Sequence, residues 1–176
     1  MIRLLDTDTF ILLLRGTALA NPRTAREKSV ATAAKRIRER CQKEAREGRR
    51  VGLSAISLAE LEFGLHAGGR YAQKNPALQQ ALLPFERFAF DPVDCVHHHG
   101  RIRAVLEKAG KTIGPLDLLI AAHALALDAT LITHNTREFR RVADLEVEDW
   151  ACASPASCPP RGMCIPGVMP PSNAVK

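Results

Sequence analysis

Short apolar runs, IRLLD at residues 2–6, VGLSAIS at 51–57 and TLITHN at 130–135, are separated by longer stretches in which apolar residues recur at helical spacing. Strand and helix therefore alternate along the chain. This is the pattern of parallel βαβ units, and it predicts an α/β protein built on a central, mainly parallel sheet.

The intervening segments carry the punctuation expected of helices. FILLLRG reads as a helix ending at Gly16, and residues 28–47 as a longer one stopped by Gly48, with Val30, Ala33, Ala34, Ile37, Cys41 and Ala45 forming its apolar stripe. LAELEFGLHAG follows with Ser57 as its expected cap. After a loop containing Pro76, ALQQALLPFERF is helical up to a break near Pro84, and FAFDPV is expected as a short strand. HHHGRIRAVLEKAG stops at Gly110, GPLDLLIAAHALALDA starts with proline in its first turn, TREFRRV is a short helix, and LEVEDW is an expected edge strand. There is no internal repeat.

A length of 176 residues suits one domain, assigned to residues 1–150. Six of the eleven prolines fall in residues 151–176, between Ser, Gly and Cys, so that tail is expected to be disordered. No apolar stretch reaches the roughly 20 residues that cross a bilayer. No secretory signal is visible at the N-terminus, and the expected location is cytoplasmic. Five cysteines, an odd number, suit a reducing compartment. Those at 152, 158 and 164 match no common zinc spacing and have no histidine near them in sequence.

The net charge of +6 is concentrated. Residues 23–50 hold eleven Lys/Arg against four Glu, a local +7, which leaves about −1 for the rest. Such a ridge is either a solvated helix face or the footprint of a polyanion.

Acidic and amide side chains recur where strands hand over to helices, the edge at which open α/β sheets bind ligands. Asp6 and Asp8 follow the first strand, Glu60 the second, Asp117 opens the apolar helix, and Asn135 follows TLIT. Each also has a structural reading. Asp8 would cap the first helix, Ser57 and Glu60 fit a capping box, as do Asn135 and Glu138, and Asp117 would face a helix dipole. Asp117 resists this best, because its helix is apolar on nearly every side and a buried carboxylate needs a cation, a metal or a proton. His123, off the Asp117 face, reads as a core histidine, and His97, His98 and His99 as a solvated run pointing in different directions. A carboxylate-rich site without His or Cys ligands suits Mg²⁺ or Mn²⁺, which activates water and neutralises phosphate charge. The basic segment would offset repulsion between such a pocket and a phosphodiester.

Four blocks, LLDTDTFILLLRG, SAISLAELEFG, GRIRAVLEKAGKTIGPLDLLIAAHALAL and LITHNTREFRRVADLEVEDW, together resemble the PIN-domain ribonucleases of the VapC toxin type over most of residues 1–150. The resemblance implies a three-layer α/β/α fold and a Mg²⁺-dependent endoribonuclease, the toxin of a type II toxin–antitoxin pair. It places the catalytic positions on Asp6, Glu60, Asp117 and Asn135, with Asp6 and Asp117 as metal ligands and Asp8 and Thr133 as cofactor-binding neighbours. Asp8 stands where the family often has Asn. The resemblance further implies a homodimer, a VapB-type antitoxin whose C-terminal segment covers the acidic site, and an RNA substrate, with initiator tRNA cut in the anticodon stem-loop as the subgroup expectation. The basic segment before VGLSAIS is longer than the family pattern, and the Cys/Pro tail has no counterpart in it.

Two other functions compete. In a haloacid-dehalogenase-type phosphatase Asp6 would be the nucleophile and Asp8 the acid/base, but Phe10 stands where that family has Thr or Val, and no later paired-Asp motif appears. A non-catalytic RNA-binding module would use the 23–50 ridge alone, with the carboxylates as helix caps.

Overall fold

The computed structural model describes residues 1–152. Its strands are β1 (Ile2–Leu5), β2 (Arg50–Ser54), β3 (Glu86–Phe88), β4 (Ala129–Ile132) and β5 (Val147–Glu148), all parallel, in the order β3-β2-β1-β4-β5. The helices are α1 (Thr7–Ala18), α2 (Ala25–Arg46), α3 (Ala55–Ala67), α4 (Tyr71–Leu82), α5 (Asp94–Lys108), α6 (Pro115–Ala126) and α7 (Thr136–Phe139).

Period-two alternation in the central strands makes two cores. Leu5, Leu53 and Ile132 face α1, α2, α3 and α4, packing with Phe10, Leu13, Ile37, Leu61 and Leu78. Leu4 and Leu131 face the opposite way, onto Ile102 and Leu106 of α5 and Leu118, Ile120, Ala121 and Ala124 of α6. The result is the expected three-layer α/β/α sandwich. From β1 the chain steps outward to β2 and β3, then returns to the other side of β1 as β4 and β5. The topological switch point therefore lies between β1 and β4.

Several boundaries differ from expectation, each for a local reason. Asp6, not Asp8, caps α1, accepting from the Thr9 amide at 2.7 Å. Gly16 does not end α1. It lies inside the helix, where a Cβ would stand 2.3 Å from Ala34 Cβ and 2.6 Å from the Val30 carbonyl, so its absent side chain is what lets α1 and α2 cross closely. α2 begins three residues earlier than expected, behind a full capping box of Thr24 and Glu27, and Gly48 ends it at φ +74. Ser54, not Ser57, caps α3, so VGLSAIS is strand only as far as Ser54. Pro76 lies inside α4 rather than in a loop, and β3 forms from Glu86–Phe88, ahead of the expected FAFDPV.

α2 runs antiparallel to the strands. Near its end Glu44 accepts from Arg3 of β1 at 2.7 Å, a turn earlier Arg40 reaches Glu148 of β5 at 3.5 Å, and a turn before that Arg36 reaches the Ala151 carbonyl at 3.3 Å, beyond β5. Its N-terminal turns thus stand toward the carboxyl edge of the sheet. Arg3 also donates to Thr130 at 2.6 Å, which satisfies a charge buried within the sheet. No helix is long and apolar enough to cross a membrane among the described residues. The expected disorder of the tail falls on residues that, from 153 onward, lie outside the described ones.

Candidate active site

Asp6 leaves β1 at the switch point, with its own amide bonded to the Ile132 carbonyl of β4 at 3.0 Å. Only 4% of it is exposed. One carboxylate oxygen accepts from the Thr9 amide and the other from the Thr133 hydroxyl. Burial nevertheless outweighs these bonds, and with the charge of Asp8 nearby it pushes the Asp6 carboxyl up to about 6.

Asp117 reaches the same place from the first turn of α6, half-buried there. Its carboxyl is pushed up to about 7, first by burial, then by a hydrogen bond with Glu138 and the negative charges of Glu138, Asp6 and Asp8. Glu60 comes from α3. It is half-buried, and burial and the charge of Asp8 raise its carboxyl although the Thr7 hydroxyl donates to it. The capping box expected for Glu60 does not form: Ser57 Oγ is buried without a hydrogen-bond partner, which leaves the Glu60 carboxylate to Thr7 and the acid cluster.

Thr133 directly follows β4, fully buried, and links two parts of this cluster: its hydroxyl donates to Asp6 and accepts the Asn135 amide at 2.9 Å. Asn135 does not cap α7 with its side chain. Its Oδ1 is buried with no hydrogen-bond partner, an acceptor in need of a donor or a cation. Asp8, on the first turn of α1, is half-exposed and acts on Asp6, Glu60 and Asp117 through its charge.

All six residues expected from sequence therefore belong to one neighbourhood. The residue that sequence reasoning missed is Glu138, seen only as a capping partner of Asn135. In the structure it pairs with Asp117. Its signal was a further acid one helical turn past Asn135, at the start of a short helix. The expectation of a core histidine holds for His123, which is fully buried with Nδ1 at 2.7 Å from Ser54 Oγ, whereas the expected solvated run is exposed only at His97: His98 and His99 are half-buried, and His98 Nδ1 is buried without a hydrogen-bond partner.

Five carboxylates and an unpartnered amide oxygen gathered in a partly buried crevice repel one another unless they take up protons or a cation. The donor set is all oxygen, which fits a hard divalent ion. Asp6 and Asp117 are the groups that would hold such an ion, which when bound would polarise phosphate and activate water. Glu60 and Glu138 are placed to orient water or move a proton.

Residues 4–145 match the family model of the PIN domain. A relative named ribonuclease VapC2, from Rickettsia felis, is 39% identical over 100 residues, covering 57% of this chain and 74% of its own. The tRNA(fMet)-specific endonuclease VapC of Shigella flexneri is 36% identical over 105 residues, covering 56% and 74%. Among solved structures, VapBC2 from Rickettsia felis bound to a promoter DNA fragment superposes with a TM-score of 0.71 at 30% identity, over 85% of this chain and 99% of that one. With the acid cluster at the switch point of a five-stranded parallel sheet, these likenesses show that the chain belongs to the PIN-domain family, as a metal-dependent ribonuclease of the VapC type.

Proposed function

We propose that the protein is a Mg²⁺-dependent endoribonuclease, with Mn²⁺ as an alternative ion, and that it is the toxin of a VapBC-type pair. The observation that carries this reading is the gathering of Asp6 and Asp117 in one crevice, where burial and the charge of Asp8 push both carboxyls up, a penalty that a divalent ion would relieve. In this reading Asp6 and Asp117 hold the metal. Glu60 and Asn135 complete the catalytic set, Glu138 shares the proton or water of Asp117, and Asp8 and Thr133 support the ion and Asp6.

The substrate side is supplied by α2. Arg23, Arg26 and Lys28 are exposed, make no salt bridge among the described residues, and stand toward the edge of the sheet that carries the acids. They would hold the phosphates flanking the cut. Two relatives named for cleaving tRNA(fMet), from Shigella flexneri and Salmonella typhimurium, support initiator tRNA as the target.

An antitoxin is supported by an apolar groove of about 970 Å³ between α1, α2, α3 and α4, lined by Ile11, Leu14, Cys41, Leu65 and Leu78, with Glu60 at its rim. An apolar segment lying there, ending in a cation, would meet the acids. The neighbouring VapBC structures contain both partners of such a pair.

The test is incubation of the purified protein with a total tRNA pool and Mg²⁺, followed by mapping of the ends. Cleavage at one anticodon stem-loop, blocked by EDTA and absent from Asp6→Ala and Asp117→Ala, is the expected result. RNA binding without cleavage, equal in both variants, would instead establish a non-catalytic module.

A further inference from the structure

Away from the acid cluster, on the other side of the β4 exit, three side chains of different chemistry converge. His134 follows Thr133, Asp149 follows β5, and Cys152 stands three residues further on. One donor atom from each, an imidazole nitrogen, a carboxylate oxygen and a thiol sulfur, lie within 4.8 Å of one another. We propose that His134, Asp149 and Cys152 form a zinc site, separate from the Mg²⁺ site of the acid cluster.

The surroundings hold each ligand in place. The His134 amide donates to Thr9 Oγ1 at 3.2 Å, and its Nδ1 lies 2.9 Å from Asp149 Oδ2. The other oxygen of Asp149 accepts the Ala151 amide at 2.8 Å. Cys152 follows Trp150 and Ala151, both buried, and Arg36 of α2 fixes the Ala151 carbonyl at 3.3 Å. The cysteine is thus delivered by an anchored segment. All three ligands are partly accessible, so an ion has an entry path.

The donor set names the metal. Nitrogen, oxygen and sulfur together suit Zn²⁺, bound at about 2.0–2.3 Å in a tetrahedron, and do not suit Mg²⁺. The donor atoms all lie within 4.8 Å of one another, with His134 Nδ1 and Asp149 Oδ2 at 2.9 Å, so tetrahedral ligand separations are reached by shifts of about 1 Å. On binding, the Cys152 thiol releases its proton to solvent, and the hydrogen bond between His134 Nδ1 and Asp149 is given up: Nδ1 loses its proton to solvent, Nε2 takes one from solvent, and Nδ1 and the Asp149 carboxylate each bind the ion. Three protein ligands leave the fourth position to water or to another donor.

Sequence spacing hides this site, because His134 and Cys152 are eighteen residues apart with β5 between them. Its location gives zinc a route to the acid cluster, since His134 lies between Thr133 and Asn135 and its amide donates to Thr9, the residue whose own amide donates to Asp6.

Cobalt substitution of the full chain tests the proposal, in a background where Cys158 and Cys164 are both serine so that they cannot compete. With excess Mg²⁺ present to occupy the acid cluster, the expected result is one equivalent of thiolate-bound Co²⁺, read as a near-ultraviolet thiolate-to-cobalt charge-transfer band that one equivalent of Zn²⁺ removes. Cys152→Ser should abolish the band, and His134→Gln should weaken Zn²⁺ binding by more than about tenfold. Thermal melts in EDTA establish that both variants fold. A parent that binds no stoichiometric Co²⁺, or a band that persists in Cys152→Ser, would overturn the site.

Discussion

Asp6 is at once the cap of α1, the acceptor for Thr133 and a carboxylate that burial pushes up to about 6. The folded state therefore holds this proton more tightly than the unfolded one, whose ordinary value is 3.8. Ionised Asp6 subtracts stability fully above the folded value, and the penalty fades as pH falls toward the unfolded one. Asp6→Asn keeps an acceptor for the Thr9 amide and removes the charge. In metal-free buffer it is expected to be more stable than the parent at pH 8, by up to about 3 kcal/mol, with the advantage vanishing near pH 4. Thermal melts across that range check it, and a pH-independent difference would show that charge is not the cause. Saturating Mg²⁺ should raise the melting temperature of the parent and leave Asp6→Asn nearly unmoved. The same residue shows how a site is legible before its geometry is. Carboxylates at strand ends were readable as ligands, whereas the choice between Asp6 and Asp8 as cap was not, because both stand within one turn of the helix start. Glu138 was hidden for a similar reason: a capping box and a ligand pair look alike until the partner's position is known.

At the scale of elements, α1 and α2 cross closely at Gly16. Gly16→Ala would gain about 1 kcal/mol of helix propensity. The new methyl, however, would meet a backbone carbonyl of Val30 at 2.6 Å that cannot swing aside. Net destabilisation of about 1–3 kcal/mol is expected, measured by denaturant unfolding, and an unchanged midpoint would mean that the helices separate freely. The basic face of α2 yields to a similar treatment. Much of its charge is already paired, Lys35 with Glu39, Arg40 with Glu148, and Lys43 with Glu47. Arg23, Arg26 and Lys28 are not, so replacing these three with Gln should raise KM for RNA while sparing kcat, and should lower the salt slope of binding by about 2. An unchanged slope would place the RNA elsewhere. The apolar stripe of α2 was plain from its period. That Gly16 marks a crossing rather than a helix end was not, because glycine signals both and only the position of Ala34 separates them.

For the whole molecule, the parallel alternation that fixed the fold class also brought the functional edge together, since every strand in a parallel sheet ends on the same side. Asp6, Thr133 and the start of α3 share that edge for this reason alone. Strand order was not readable, because nothing in the apolar runs says which neighbour each will choose. The zinc ligands were unreadable on the same ground, since β5 must first dock beside β4 before Asp149 and Cys152 approach His134.

β1 sits at the centre of the sheet, yet it is synthesised before the other four strands, and its partner β4 lies more than 120 residues downstream. Asp6 cannot be buried, nor meet Asp117 and Thr133, until that partner has left the ribosome, a wait on the order of ten seconds at ordinary elongation rates. A nascent chain therefore lacks the assembled acid cluster through most of its own translation. The topology itself acts as a timer, withholding the site until the domain is nearly complete.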